Sequence, residues 1–281
     1  MERREFLAKS CVAGVASLAA GSVASGQRRP GETEAQYRVR RLRMRAAGAA
    51  GGGRQFFELR TYAIEADEQK GGFDTFAKEA FIPALNRLGI GKVGVFYPNE
   101  GLSPITVLIP HPSVASFATL TERLLEDDAF LVKGSEFLNA PRDTPAYTNL
   151  EISLYKAFEG MPTIEMPADG PERVFQLRIY ESPSVKTNQK KIEMFNGGEI
   201  AIFRKTGLHP VFFGEALAGT KMPNLTYMLG FKDMEESEAS WQRFRDDPEW
   251  KELRSKPEYA DLLRRQGITN LYLRPAAYSQ I

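Results

Sequence analysis

The sequence predicts an α+β fold: two tandem ferredoxin-like (βαββαβ) units whose four-stranded sheets pack face to face or form an α/β barrel. Three observations predict it. The pattern Phe-x-Leu-Arg-x-Tyr occurs twice, at Phe57–Tyr62 and Phe175–Tyr180, 118 positions apart. Each copy alternates apolar and polar residues with the two-residue period of a strand. Later landmarks repeat at nearly the same offset. Gly89 and Gly207 are 118 apart, Thr106 and Thr226, Arg123 and Arg243, and Asp127 and Asp247 are 120 apart, and Thr148-Asn149-Leu150 and Thr269-Asn270-Leu271 are 121 apart. One order of landmarks, with an offset drifting by three residues, reads as a tandem duplication.

The elements follow in order within each copy. The first strand is Phe56–Ala63, matched by Val174–Glu181. A helix spans about Gly72–Leu88, with Phe73, Phe76, Phe81 and Leu85 at helical spacing and Pro83 expected to kink it, and its counterpart is Asn188–Lys205. Gly89 and Gly207 suit left-handed C-caps. Second strands run over about Lys92–Tyr97 and His209–Glu215, third strands over Ile105–Ile109 and Thr226–Phe231. A longer helical region follows, about Ser113–Asp127 and Glu235–Arg245, each with a second piece. Asp247 reads as an N-cap with Pro248 at the first helical position, and Asp127-Asp128 and Asp246-Asp247 read as helix caps rather than metal ligands. The last strands are Thr148–Tyr155 and Thr269–Leu273.

The chain divides into a leader (1–25), an Arg/Gly/Ala-rich linker expected to be disordered (26–53), repeat 1 (54–160), a Pro-containing linker (161–172) and repeat 2 (173–281). The leader has Arg3-Arg4-Glu5-Phe6-Leu7, a weakly apolar run over residues 11–20, and a small-residue cleavage site near Ser22-Val23-Ala24. It resembles a twin-arginine signal peptide. A periplasmic or secreted location follows, with the twin-arginine export machinery as partner. Glu2 and Glu5 argue against a mitochondrial presequence, and the run is too short and too weakly apolar for a stable membrane anchor.

The net charge of +1 hides an asymmetry: eight Arg against two Glu lie between Gly26 and Arg54, so the folded part is mildly acidic. Nucleic acid is therefore not an expected partner, because that needs clustered basic charge. Cys11, in the leader, is the only cysteine, which excludes a disulfide framework and a thiolate metal site in the mature chain. The two histidines, His111 and His209, have no zinc spacing, so no metal site is expected. No Gly-x-Ser-x-Gly elbow, P-loop or dinucleotide fingerprint occurs.

The strand Phe-Glu-Leu-Arg-Thr-Tyr, a helix ending Ile-Pro-Ala-Leu-Asn-Arg-Leu-Gly, and Asp127-Asp128-Ala129-Phe130 with Asp247-Pro248-Glu249-Trp250 together resemble the NIPSNAP family, which is similar to the dimeric α/β-barrel superfamily. The resemblance covers about residues 54–281 and implies the duplicated ferredoxin-like fold. It implies no agreed reaction. The wider superfamily includes cofactor-free monooxygenases and haem enzymes, an analogy at fold level only.

Chemistry is expected on the first strands. Phe57, Leu59 and Thr61 point one way and Glu58, Arg60 and Tyr62 the other; Gln176, Arg178 and Tyr180 correspond in copy two. The apolar set is expected against the helices and the polar set between the sheets. A buried guanidinium needs a partner, so Arg60 and Arg178 need carboxylates of this chain or a bound anion. With His209, which starts a strand beside this region, these six are the candidate ligand-binding residues. Aromatics on central strands, Phe96, Phe212 and Tyr227 among them, pack the core or line a mostly apolar pocket. The expected ligand is a small, partly apolar molecule with a carbonyl or anionic group. No catalytic residue is singled out and no cofactor is required. The alternatives are a scaffold that assembles through its sheets, a homo-oligomer included, and a cofactor-free monooxygenase-like or haem-dependent enzyme with His209 as axial ligand.

Overall fold

The computed structural model describes Thr33, residues 53–166, Gly170 and residues 172–281. The leader and most of the linker after it lie outside the described residues. In the first half, β1 (Phe56–Ala63) leads into α1 (Asp67–Phe76), a π-turn (Ala77–Phe81) and α2 (Ile82–Arg87), then β2 (Gly94–Pro98) and β3 (Ile105–His111). Four short helices, α3 (Val114–Ala118), α4 (Leu120–Leu125), α5 (Asp128–Lys133) and α6 (Ser135–Leu138), precede β4 (Asn149–Ala157). The second half has β5 (Val174–Glu181), α7 (Val185–Met194), a π-turn (Phe195–Glu199), α8 (Ile200–Thr206), β6 (His209–Ala218) and β7 (Asn224–Phe231). It ends with α9 (Met234–Asp246), α10 (Pro248–Ser255), a 3₁₀ turn (Pro257–Tyr259) and β8 (Ile268–Pro275).

The strands close into an antiparallel barrel in the order β1-β3-β2-β8-β5-β7-β6-β4. Within each half the order is fourth-first-third-second, the ferredoxin-like order. The halves join where β2 meets β8 and where β4 meets β6. Closure removes every free sheet edge. Of the two arrangements open from sequence, the barrel is the one formed.

The barrel interior is an apolar core of Phe57, Leu59, Phe96, Phe175, Leu177 and Phe212 with their neighbours. Its ring contacts cross between halves: Phe57 lies 4.9 Å from Phe212, and Phe96 lies 4.8 Å from Phe175. The segment after β4 contributes to this core, since Ile164 is buried in it and its N–H donates to Gln55 Oε1 at 2.8 Å. Residues 276–281 run beside β2: Ala276 N–H donates to the Val95 carbonyl, Gln280 N–H to that of Val93, and Ile281 is buried in the barrel.

The face assignment is thereby reversed. Phe57, Leu59, Phe175 and Leu177 face the interior, whereas Tyr62 and Tyr180 pack with the helices. The physical reason is closure. A barrel lumen admits neither water nor helix side chains, so it takes the apolar set. The helix layer supplies hydrogen-bond partners, so it tolerates the polar set.

The helix ends follow the sequence chemistry. Asp127 and Asp247 cap α5 and α10 by accepting the backbone N–H of Phe130 and Trp250. Gly207 closes α8 with φ of 83°, where a side chain would be strained. The expected kink at Pro83 is instead a π-turn that ends just before it. The π-turn in the second half occupies the equivalent position without a proline, so Pro83 is not its cause.

Candidate functional site

The polar residues of β1 and β5 lie between sheet and helices, once in each half, and the two places differ in kind. In the first half the network closes on itself. Glu58 is buried; its Oε1 accepts from Arg60 Nε at 2.5 Å and its Oε2 meets His111 Nε2 at 2.9 Å. His111 Nδ1 is 3.1 Å from Ser116 Oγ. The Arg60 guanidinium also lies 5.1 Å from the centroid of Phe81, the last residue of the π-turn. Burial pushes the Glu58 carboxyl up, but the hydrogen bonds and charge of His111 and Arg60 outweigh it and hold the group below the ordinary carboxylate range. From sequence, Pro110 and Pro112 on either side place His111 in a loop, and the structure corrects this. His111 ends β3 and is fully buried.

The second half is organised around Gln176 and Arg178. Gln176 is buried and satisfied at both ends: its amide oxygen accepts from Trp241 Nε1 at 2.7 Å, and its Nε2 donates to Asn270 Oδ1 at 2.8 Å and Tyr272 Oη at 3.0 Å. These bonds hold the Trp241 indole against Arg178, whose guanidinium is 4.5 Å from its centroid and 5.4 Å from that of Tyr180. The Tyr227 hydroxyl donates to that of Tyr180 at 2.9 Å. Arg178 Nε is buried and has no hydrogen-bond partner. The carboxylate that senses its charge, Glu199, is already ion-paired to Lys191 Nζ at 2.8 Å, with both side chains buried. Burial pushes Glu199 up, and Lys191 and Arg178 offset this only in part. Burial likewise pushes the Tyr227 hydroxyl well up.

The two halves differ at structurally equivalent positions. The residue paired with the arginine on the third strand is Val107 in one half and Tyr227 in the other. On the fourth strand Ile152 and Leu154 stand where Asn270 and Tyr272 do. The π-turns end in Phe81 and Glu199, and four residues before each turn lie Phe73 and Lys191. At these five places the first half has the apolar residue and the second half the polar one, whereas at the end of the third strand the reverse holds, His111 standing where Phe231 does. The same registers correct the sequence alignment of the last strand. Ile152 corresponds to Asn270, an offset of 118, so the repeated Thr-Asn-Leu is out of register by three.

His209 does not join these clusters. It starts β6, its side chain is 44% exposed, and its Nε2 lies 3.9 Å from Glu236 Oε1. Glu58, Arg60 and Tyr62 are brought together, as are Gln176, Arg178 and Tyr180, but the two sets lie on separate outer faces of the barrel. A surface cleft of 360 Å³, lined by Gly91, Lys92, Pro110, Pro112 and Ile164 among others, contains none of the seven predicted residues. Among the described residues no group of three or more His, Cys, Asp or Glu is placed to hold a metal ion, and no helix is long and apolar enough to cross a membrane.

The family comparison matches the second half and the structural comparison matches most of the chain. Residues 175–280 match the NIPSNAP family model. No curated protein matches the chain. Among solved structures the barrel is similar to a candidate monooxygenase from Fusobacterium nucleatum subsp. nucleatum, with TM-score 0.55 and 8% identity over 79% of this chain and 92% of that one. It is similar to a second candidate monooxygenase, from Lactobacillus acidophilus NCFM, with TM-score 0.55 and 9% identity over 79% and 94%. These likenesses show the fold. An uncharacterised NIPSNAP-like domain protein from Burkholderia xenovorans is 22% identical over 38% of this chain and 89% of its own, with TM-score 0.35.

Proposed function

We propose that the second half binds a small, partly apolar ligand through a carbonyl or anionic group, in the layer between β5 and the helices above it. The observation that carries this reading is Arg178. Its Nε is buried without an acceptor, while the Nε of the equivalent Arg60 donates to Glu58. An unpaired buried donor is costly, so a native site that keeps one is a place for a ligand atom. Tyr180 supports it. Its oxygen accepts from Tyr227, so its own proton is left to donate beside Arg178. Trp241 and Tyr180 offer flat apolar surface to the rest of the ligand. The first half serves as structural counterpart, its polar groups satisfied by one another.

The test is a thermal-shift screen of small carbonyl compounds and organic acids on the wild-type chain, Arg178→Met and Arg60→Met. Compounds that raise the Tm of wild type and Arg60→Met, but not of Arg178→Met, are expected. Ligands whose effect survives Arg178→Met would place binding elsewhere. Oxygen uptake with the hits, without added cofactor, then tests the reaction class for which the two fold neighbours are candidates. We further propose that the chain is a tandem duplication exported by the twin-arginine route. Replacing Arg3-Arg4 with a pair of lysines should retain the protein in the cytoplasm, which cell fractionation reads directly.

A further inference from the structure

We infer that the ligand group at Arg178 is a monoanion, a single carboxylate in the simplest case, rather than a neutral carbonyl or a dianion; this rests on the binding reading above. The inference comes from counting charge in the two helix–sheet layers. In the first half Glu58 and Arg60 cancel. In the second half Arg178 and Lys191 face one carboxylate, Glu199, and the 2.8 Å pair between Lys191 and Glu199 leaves Arg178 as the excess cation. Gln176 stands where the first half has Glu58, so the strand position that neutralises Arg60 is uncharged here.

One missing negative charge is what a carboxylate supplies. A charge-assisted bond from a guanidinium to a carboxylate is roughly twice as strong as a neutral one. A neutral carbonyl would satisfy Nε but leave the charge uncompensated. A dianion would bring a second charge with no cation to meet it, and its desolvation would count against binding. The Tyr180 proton and the Arg178 Nε proton then serve the two oxygens of one carboxylate, with Trp241 covering the guanidinium face.

The Nε–H group of arginine is directly visible by nitrogen–proton NMR, which removes the need to know the natural ligand. The full chain is titrated with acetate, acetamide and inorganic phosphate at pH 8. Loss of a signal in Arg178→Lys assigns Arg178, and Arg178→Gln serves if that variant folds poorly. Acetate should move the Arg178 Nε proton saturably, at least about tenfold more tightly than acetamide or phosphate, while the Arg60 signal stays in place. Glu199→Gln, which raises the excess charge by one, should narrow the preference for acetate over phosphate. Equal response to acetamide, tighter binding of phosphate to the wild type, or no change of preference in Glu199→Gln would each overturn the charge inference and leave the site standing. An Arg178 signal that none of the three moves would remove the site itself.

Discussion

Glu58 accepts from two partners at once, and its replacement by Gln at position 176 separates the two halves chemically. Removing a partner from a buried ion pair costs about 3–5 kcal/mol, because the remaining charge stays buried. Glu58→Ala should therefore destabilise by about that amount in urea unfolding, since it strands both Arg60 and His111. The pH dependence has a definite sign. The folded carboxyl lies below its ordinary value of 4.5, so its contribution is complete above that pH and is lost as pH falls through the folded value. Acid unfolding of Glu58→Gln should show a shallower slope below pH 4.5 than wild type. Arg60 and Arg178 were both visible in the sequence as guanidiniums in need of partners. Which one lacks a carboxylate was not visible. Ion pairing depends on Glu199, 21 positions beyond Arg178, and on Lys191 holding it. His111 was hidden for a related reason: prolines on both sides read as a loop, yet the outer position at the end of β3 tolerates them.

At the scale of elements, the π-turns are the shared device. Each lies between the two parts of the helix that follows the first strand, and each ends in a residue that responds to the strand arginine, Phe81 by its ring face and Glu199 by its charge. π-turns often mark functional sites. Each flank keeps its own helical period, so the π-turn shows in the sequence only as a shift of phase, such as the five-residue step from Phe76 to Phe81. The comparison of halves makes a direct prediction for the buried pair on α7 and its π-turn. Lys191→Met alone should destabilise by about 3 kcal/mol, because it leaves Glu199 unpaired and buried. Lys191→Met together with Glu199→Leu, which imitates the apolar first half, should be neutral or stabilising by about 1–3 kcal/mol. Calorimetry of the three proteins tests both statements. If the double variant is as unstable as the single, the pair supports the fold rather than the site. The last strand shows the opposite limit of sequence reading. Thr-Asn-Leu repeats, but only the ladder partners of Arg60 and Arg178 reveal the offset of 118.

For the whole molecule, the fold class was legible and the direction of its faces was not. Strand alternation gives two faces but not which one is inside. That depends on closure into a barrel, whose lumen has no helix to complement polar groups. The lumen joins the halves through Phe57 with Phe212 and Phe96 with Phe175. A double-mutant cycle on Phe57 and Phe212 should give a coupling of about 0.5–1.5 kcal/mol, and the two halves should unfold in one calorimetric transition. Two separate transitions would contradict a shared core. On the proposed reading, the second half keeps a guanidinium for a ligand while the first half uses its own for the fold. The most direct measurement is the Tm of Arg60→Met beside that of Arg178→Met, both without ligand. Arg60→Met should lose about 3 kcal/mol, several degrees for a chain of this size, whereas Arg178→Met should keep or raise the wild-type Tm. Equal loss in both variants would contradict the claim, because it would make Arg178 as structural as Arg60.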